Sequence, residues 1–488
     1  MATAVWSHEA EIVDQMSAGG RRAGYVCPVS ATADQPGDPA AAVDPLTIIK
    51  SKEYLRALVL AALIALPVAA VAYGFLALVD WLQEALYTDL PSGLGFDSTP
   101  TWWPVPLLAL AGLLVALCIR SLPGNCGHSP SGGFQQGAPT MPIEIPGVAL
   151  AALATLAFGA VLGPEAPLIA IGSGLGALAI RSIKRDSAPT AVALIATAGS
   201  FAAISTLIGS PVVAAFLMLE VAGLGGTMLA VALLPGLLAA GLGFLVFVGL
   251  DSLTGLGTFS LAIPDLPAFT TPTVAMFVWA LALGLLCPLI GWLVYTIALS
   301  VRTLVHTRRL LVTPLLGVAI AVLAIVFGEL SDQGSENVLF SGQAQLPTLV
   351  EQSASWSTGA LGLVIVCKGL AYALSLSAFR GGPIFPSLFI GGAIGVLAAE
   401  LPGMSLVPGL AIGIGAMCAT MLKLPFTSVL LATVLLSSDA YAVMPLAIVA
   451  VVVAYVATER LPAPRSWLDR AAPGTTPAPG SLAGAPSA

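Results

Sequence analysis

Fourteen apolar segments follow one another along this chain, roughly at 55–83, 102–119, 146–162, 166–181, 189–208, 211–222, 226–250, 273–300, 311–328, 358–378, 385–399, 407–421, 425–437 and 443–457. Gly or Pro interrupts many of them. A simple helical crossing of a bilayer takes about 20 apolar residues. Several segments fall short of that, so the pattern predicts re-entrant and broken helices in place of a plain helical bundle. Irregular backbone is tolerated at membrane depth only where it packs within protein or lines a cavity. Only 9% of the residues are charged and 57% are hydrophobic, whereas soluble domains carry about 25% charged residues. The apolar runs are continuous, which argues against the ten-residue alternation of a β-barrel. The fold class is therefore an all-α polytopic membrane protein.

Lys and Arg set the expected orientation. They cluster at Arg21 and Arg22, at Lys50, Lys52 and Arg56, at Arg181, Lys184 and Arg185, at Arg302, Arg308 and Arg309, and at Arg460 and Arg465, with none between Arg185 and Arg302. These clusters are expected in the cytoplasm, with both termini inside and the loops near 84–101, 251–271 and 329–356 outside. Residues 1–50 and 461–488 read as flexible cytoplasmic tails. No signal peptide is expected at the start, nor a regulatory domain after the last helix. The net charge of −7 without a basic footprint excludes nucleic acid as a partner. The six cysteines include no CxxC pair and read as small buried hydrophobes. No arrangement suggests a nucleophile, a metal or a cofactor, so the expectation is a protein that is not an enzyme and needs no cofactor.

Glu165 lies between helix breakers in Gly163-Pro164-Glu165-Ala166-Pro167, within an apolar environment. An ionisable group at membrane depth marks a functional site by default, and the start of a half-helix favours anions. The alternative is a short polar loop at the membrane surface. An internal repeat is also visible. Pro167–Ala179 aligns without gaps against Pro386–Ala398, with Ile171/Ile390, Gly172/Gly391, Gly176/Gly395 and Leu178/Leu397 coinciding. Pro211 matches Pro425 in the same order. Chance matching of Gly/Ala/Leu-rich text competes with the reading of two duplicated halves, 51–250 and 251–460. Duplicated halves with breakers at matching places point to a transporter-like binding site.

These residues resemble the CLC family of chloride channels and proton/chloride exchangers. Gly163–Pro167 looks like the family's GREGP motif, Gly382-Pro383-Ile384-Phe385-Pro386 like GIFAP, Gly127–Pro130 lies where GSGIP stands, and Ser210-Pro211 through Glu220 resembles the helix after a family Asn-Ala-Pro. The resemblance covers roughly residues 50–460 and implies a fold of broken and re-entrant helices in two inverted-topology repeats. It implies that Glu165 is the gating carboxylate and that Ser129, Gly163, Ala166, Ile384 and Phe385 bind the anion. An ordinary N-cap before Pro130 is the competing reading of Ser129. A homodimer in the plasma membrane is implied as well, with chloride and the lipid bilayer as partners. Segment 226–250 has Gly and Leu faces that could pack against a twin.

The chain departs from the family pattern in places. Pro164 replaces the Arg of GREGP, Ala166 replaces its second Gly, and only Ser129 survives from the GSGIP core. Val221 stands where exchangers carry an inner proton glutamate. This favours passive chloride conduction, with other halides or nitrate also open, over a proton-coupled exchanger that would use Glu165 and Glu220. A charge pairing or a snorkelling side chain at a helix end is the competing reading of Glu220. A fluoride exporter and a non-transporting membrane protein are weaker possibilities. No tyrosine matches the family's pore tyrosine: Tyr441 and Tyr455 lie too early, so an inner gate of different construction is expected. Arg380 either raises local anion concentration beside the site or partners a backbone carbonyl.

Overall fold

The structure, a computed structural model, describes residues 45–134, 137–223, 228–254, 263, 266–436 and 440–466. The rest of the two expected tails, with Cys27, Arg21 and Arg22, lies outside the described residues. The fourteen apolar segments form fourteen helices. These are α1 (Lys52–Glu84), α2 (Pro104–Ser121), α3 (Ile145–Leu156), α4 (Glu165–Ile183), α5 (Pro189–Ile208), α6 (Pro211–Val221) and α7 (Met228–Thr254), then α8 (Val274–Thr307), α9 (Arg309–Ser331), α10 (Thr358–Ala378), α11 (Ile384–Ala398), α12 (Leu406–Leu422), α13 (Pro425–Leu435) and α14 (Ala440–Arg460).

Local chemistry sets many of the helix ends. Pro104, Pro189, Pro211 and Pro425 open α2, α5, α6 and α13, where a missing N–H costs nothing. Ser51, Ser210, Thr273 and Ser357 accept bonds from the first-turn N–H groups of α1, α6, α8 and α10, as N-caps do. Gly209 (φ 67°) ends α5 and Lys423 (φ 59°) ends α12, both left-handed, and a new helix starts two residues later in each case. The Pro211/Pro425 match therefore falls on two helix starts of the same local design.

Nine helices are long and apolar enough to cross a membrane among the described residues. The others include α6 and α13, at 11 residues each, and α11, at 15. At 1.5 Å per residue these reach only about 16–23 Å, short of a ~30 Å hydrocarbon core. They are the re-entrant elements that the pattern predicts. The fold is an all-α polytopic membrane fold.

The core gathers on α11 and α12, whose residues are nearly all buried, and on α5, most of whose residues are. The crossing of α4 on α5 and that of α11 on α12 use the same device. A Cβ on Gly172 would lie 2.5 Å from the carbonyl oxygen of Gly199, and one on Gly391 would lie 2.6 Å from that of Gly413. Small residues let helix backbones meet at van der Waals distance, the main source of helix association in lipid. Both glycines belong to the aligned pairs of the internal repeat.

Lys368 of α10 is fully buried. Its ammonium donates to the carbonyls of Asn337 (2.9 Å), Leu339 (3.0 Å) and Val338 (3.3 Å) and sits 4.4 Å from the Phe389 ring centroid of α11. A buried cation needs such partners. Here it ties the loop before α10 to the helix pair that frames the site. Cys126, Cys287, Cys367 and Cys418 are buried as small apolar groups.

Candidate functional site

Two helix starts meet at the centre of the molecule. Gly163 and Gly382 form an antiparallel bridge: the Gly163 N–H donates to the Gly382 carbonyl at 2.8 Å and the Gly382 N–H to the Gly163 carbonyl at 2.7 Å. Two residues downstream of each glycine, α4 begins at Glu165 and α11 at Ile384. The bridge thus brings two positive helix ends together, the arrangement that favours an anion between them.

Glu165 fills that place. It is 0% exposed, so the alternative of a surface loop does not hold. Its side chain crosses from the start of α4 to the start of α11, where Oε1 accepts the N–H of Ile384 in a short contact. The N–H groups of Phe385 and of Glu165 itself also act on the carboxylate. Oε2 is buried and has no partner among the described residues. A Cβ at Gly163 or Gly382 would collide with this carboxylate, so glycine at both positions is what leaves room for it.

A second space adjoins this one. Ser129 precedes a single 3-10 turn, Pro130–Gly132, which Gly133 ends at φ 91°. Its hydroxyl makes no capping bond; it lies 3.0 Å from Ser131 Oγ. A turn this short offers little to cap, and the N-cap reading of Ser129 does not hold. A cavity of about 80 Å³ is lined by Ser129, Phe134, Ala166, Arg380, Gly381 and Pro383, among others. Arg380 is 8% exposed. Its Nε donates to the Asn125 carbonyl (3.3 Å) and Nη1 to the Phe379 carbonyl (3.2 Å), and it has no ion pair among the described residues. The reading of Arg380 as a partner of backbone carbonyls holds, and the residue also lines the cavity. Of the five expected anion ligands, Ser129 and Ala166 face this cavity, while Gly163, Ile384 and Phe385 surround the Glu165 carboxylate.

Glu220 lies elsewhere. Its carboxylate accepts the N–H groups of Phe426 (2.8 Å) and Thr427 (2.7 Å) and the Thr427 hydroxyl (2.5 Å), capping the start of α13. This satisfies most of the carboxylate's hydrogen-bonding capacity and fits the reading of a place at a helix end. Glu220 and Val221 nevertheless line a larger cavity of about 370 Å³, together with Ser131, Tyr295 and Lys423. Lys423 pairs with Glu459 at 2.8 Å. Gly133 and Phe134 line both cavities.

Sequence reasoning missed Phe134, Tyr295 and Tyr372. Tyr295 donates to the Met421 carbonyl at 2.8 Å in the larger cavity, and Tyr372 donates to the Pro383 carbonyl at 3.0 Å just before α11. Neither tyrosine lies in a motif, and only the packing of distant helices brings Tyr295 to the larger cavity and Tyr372 to the start of α11. Tyr441 is 89% exposed.

Broken helices whose positive ends converge on a buried carboxylate, inside an all-α membrane fold, define an ion-transporting integral membrane protein. The family model for voltage-gated chloride channels matches residues 134–459, and the chain belongs to that family, the CLC proteins. It is 29% identical over 331 residues to YfeO of Escherichia coli, a protein named for ion transport, covering 65% of this chain and 73% of that one. Its fold is similar to that of a slow cyanobacterial Cl−/H+ antiporter, with a TM-score of 0.67 and 18% identity over 84% of this chain and 95% of that one. It is also similar to a CLC-type fluoride/proton antiporter, with a TM-score of 0.64 and 20% identity over 86% of this chain and 100% of that one.

Proposed function

We propose that the protein conducts chloride through a pathway that Glu165 gates, without obligatory proton coupling. The observation that carries this reading is the Glu165 carboxylate held by helix-start N–H groups beside a cavity lined by Ser129 and Arg380. Ionised, the carboxylate stands in for an anion and blocks the path; protonated or swung aside, it leaves N–H groups for chloride. Backbone N–H groups bind a permeant anion without the trap of a strong ion pair. Channel-like behaviour is favoured by Val221 in the wall of the larger cavity, since a valine relays no proton.

A second reading, a proton-coupled chloride antiporter using Glu165 and Glu220, is supported by the antiporters among its structural neighbours. Glu220 lines the larger cavity, although it is occupied in capping α13. A fluoride exporter ranks lower because Ser129 is retained. Reconstitution into liposomes with an outward chloride gradient separates the first two readings. The expected result is chloride efflux that drives no uphill proton uptake. Proton uptake against its gradient, lost in Glu220→Gln, would establish the second reading.

The arginine-rich ends are assigned to the cytoplasm, with both termini inside, the halves at 51–250 and 251–460, and the plasma membrane as location. A homodimer is proposed through the faces of α6, α7 and α13, where Val212, Phe216, Leu234, Leu245 and Phe426 are exposed. Cross-linking in native membranes tests that contact.

A further inference from the structure

The chain turns from α8 into α9 through Arg308 (φ −141°, ψ 53°). With the last turn of α2, this corner frames an open surface cleft of about 510 Å³ lined by Arg120, His306, Arg308, Arg309, Leu311 and Ala116, among others. Three arginines and a histidine line it and no acid does. None of the three forms an ion pair among the described residues, where the one ion pair joins Lys423 to Glu459. The charges that act on His306 are Arg302 on its own helix, Arg309 on α9 and Arg380 before α11, all cationic. Like charges gathered this closely repel one another unless an anion sits among them.

The position of the cleft narrows the choice of anion. Helices α2 and α9 both qualify as membrane spans, and the cleft lies at their arginine-bearing ends. That is the level of the lipid headgroups. Leu117, Leu311 and Leu315, on the same helices, are exposed and offer acyl chains an apolar surface below the basic cleft.

A line of hydrogen bonds joins the cleft to the pathway. Arg302 Nε donates to His306 Nε2 at 3.2 Å, and Arg302 Nη1 donates to Ser131 Oγ at 3.3 Å. Ser131 Oγ lies 3.0 Å from Ser129 Oγ. A hydroxyl has one proton to give. With Arg302 donating to Ser131, the Ser131 proton turns to Ser129, and the Ser129 proton is left for an anion in the cavity. We propose that the cleft binds the phosphate headgroup of an anionic membrane lipid, and that the bound headgroup, by offsetting repulsion among the arginines, keeps Arg302 on Ser131 and Ser129 directed at the anion. The coupling half of this inference rests on the anion-pathway reading; the binding half does not.

The test uses the full chain, wild type and an Arg308→Gln/Arg309→Gln double variant, in vesicles of phosphatidylcholine alone or mixed with phosphatidylglycerol. Co-purifying phosphatidylglycerol is read by native mass spectrometry, and chloride efflux by electrode. The wild type is expected to retain the anionic lipid and to conduct several-fold faster in the mixed vesicles. The double variant should bind the lipid roughly fivefold more weakly for each arginine lost and conduct equally in both vesicles. An Arg309→Lys variant, which keeps the charge, should behave as wild type and controls for folding. Equal lipid retention by wild type and double variant would overturn the site. A double variant that slows equally in both vesicles would mean that the arginines only concentrate chloride, and would overturn the coupling. Inorganic phosphate that restores fast flux in phosphatidylcholine vesicles would overturn the lipid as occupant. A wild type that moves no anion in any vesicle sinks the pathway reading and the coupling with it, while lipid retention still decides the cleft.

Discussion

Replacing Glu165 by Gln probes the gate at nearly constant volume. The side chain keeps an oxygen that can accept the Ile384 N–H but loses its charge. A hydrogen bond to a charged group contributes about 1.5–3 kcal/mol and a neutral one about 0.5–1.5 kcal/mol. The change therefore weakens the hold of Ile384 on the side chain by roughly 1–1.5 kcal/mol, about a tenfold loss of self-occupancy. The N–H groups of Phe385 and Glu165 act on the same carboxylate and carry the loss toward roughly a hundredfold. A chloride ion then competes for those N–H groups against a neutral amide. Chloride efflux from proteoliposomes, measured from acid to neutral pH, is the assay. Wild-type flux should rise as the pH falls and the carboxylate is neutralised. The variant should be flat, near the acid plateau of wild type. A pH slope that persists unchanged in Glu165→Gln would refute the assignment of the gate.

A methyl group at Gly382 collides with the Glu165 carboxylate, so Gly382→Ala should expel the side chain and reproduce the flat pH profile with the carboxylate still present; a normal profile would show that the gate tolerates the methyl. Phe134 lines both cavities; Phe134→Ala should raise chloride flux and Phe134→Trp should lower it in the same efflux assay. Lys368→Met removes the donor from three close carbonyls, at about 1–3 kcal/mol for each group left unpaired, and should lower the detergent melting temperature by many degrees.

The sequence makes the helices legible because bilayer length and helix breakers act locally. All fourteen apolar runs return as helices, and the short ones are short for the reason their length suggests. Glu165, Gly163, Ile384 and Ser129 are visible because motif order exposes them. What stays hidden is long-range. Glu220 looks like a solitary acid until α13 presents its first N–H groups to it. Lys368 has no acid within its own helix, and its partners are carbonyls of the loop at 337–340, which no side-chain pattern encodes. The bond from Arg302 to Ser131 joins two residues that composition would place merely in a basic loop and a polar turn.

The Gly163–Gly382 bridge has a mechanical meaning. Two backbone hydrogen bonds fasten the segment before α4 to the segment before α11 beside the Glu165 carboxylate. A cycle in which one side of the molecule swings against the other, as in rocking transporters, would have to part both bonds in every turnover. Each group orphaned in a buried setting costs about 1–3 kcal/mol. A single side chain that leaves and re-enters its slot breaks neither bond. On the proposed gating by Glu165, the bridge would be a stator: the backbone frame would stay still, and the moving parts would reduce to one carboxylate and the ions that pass it.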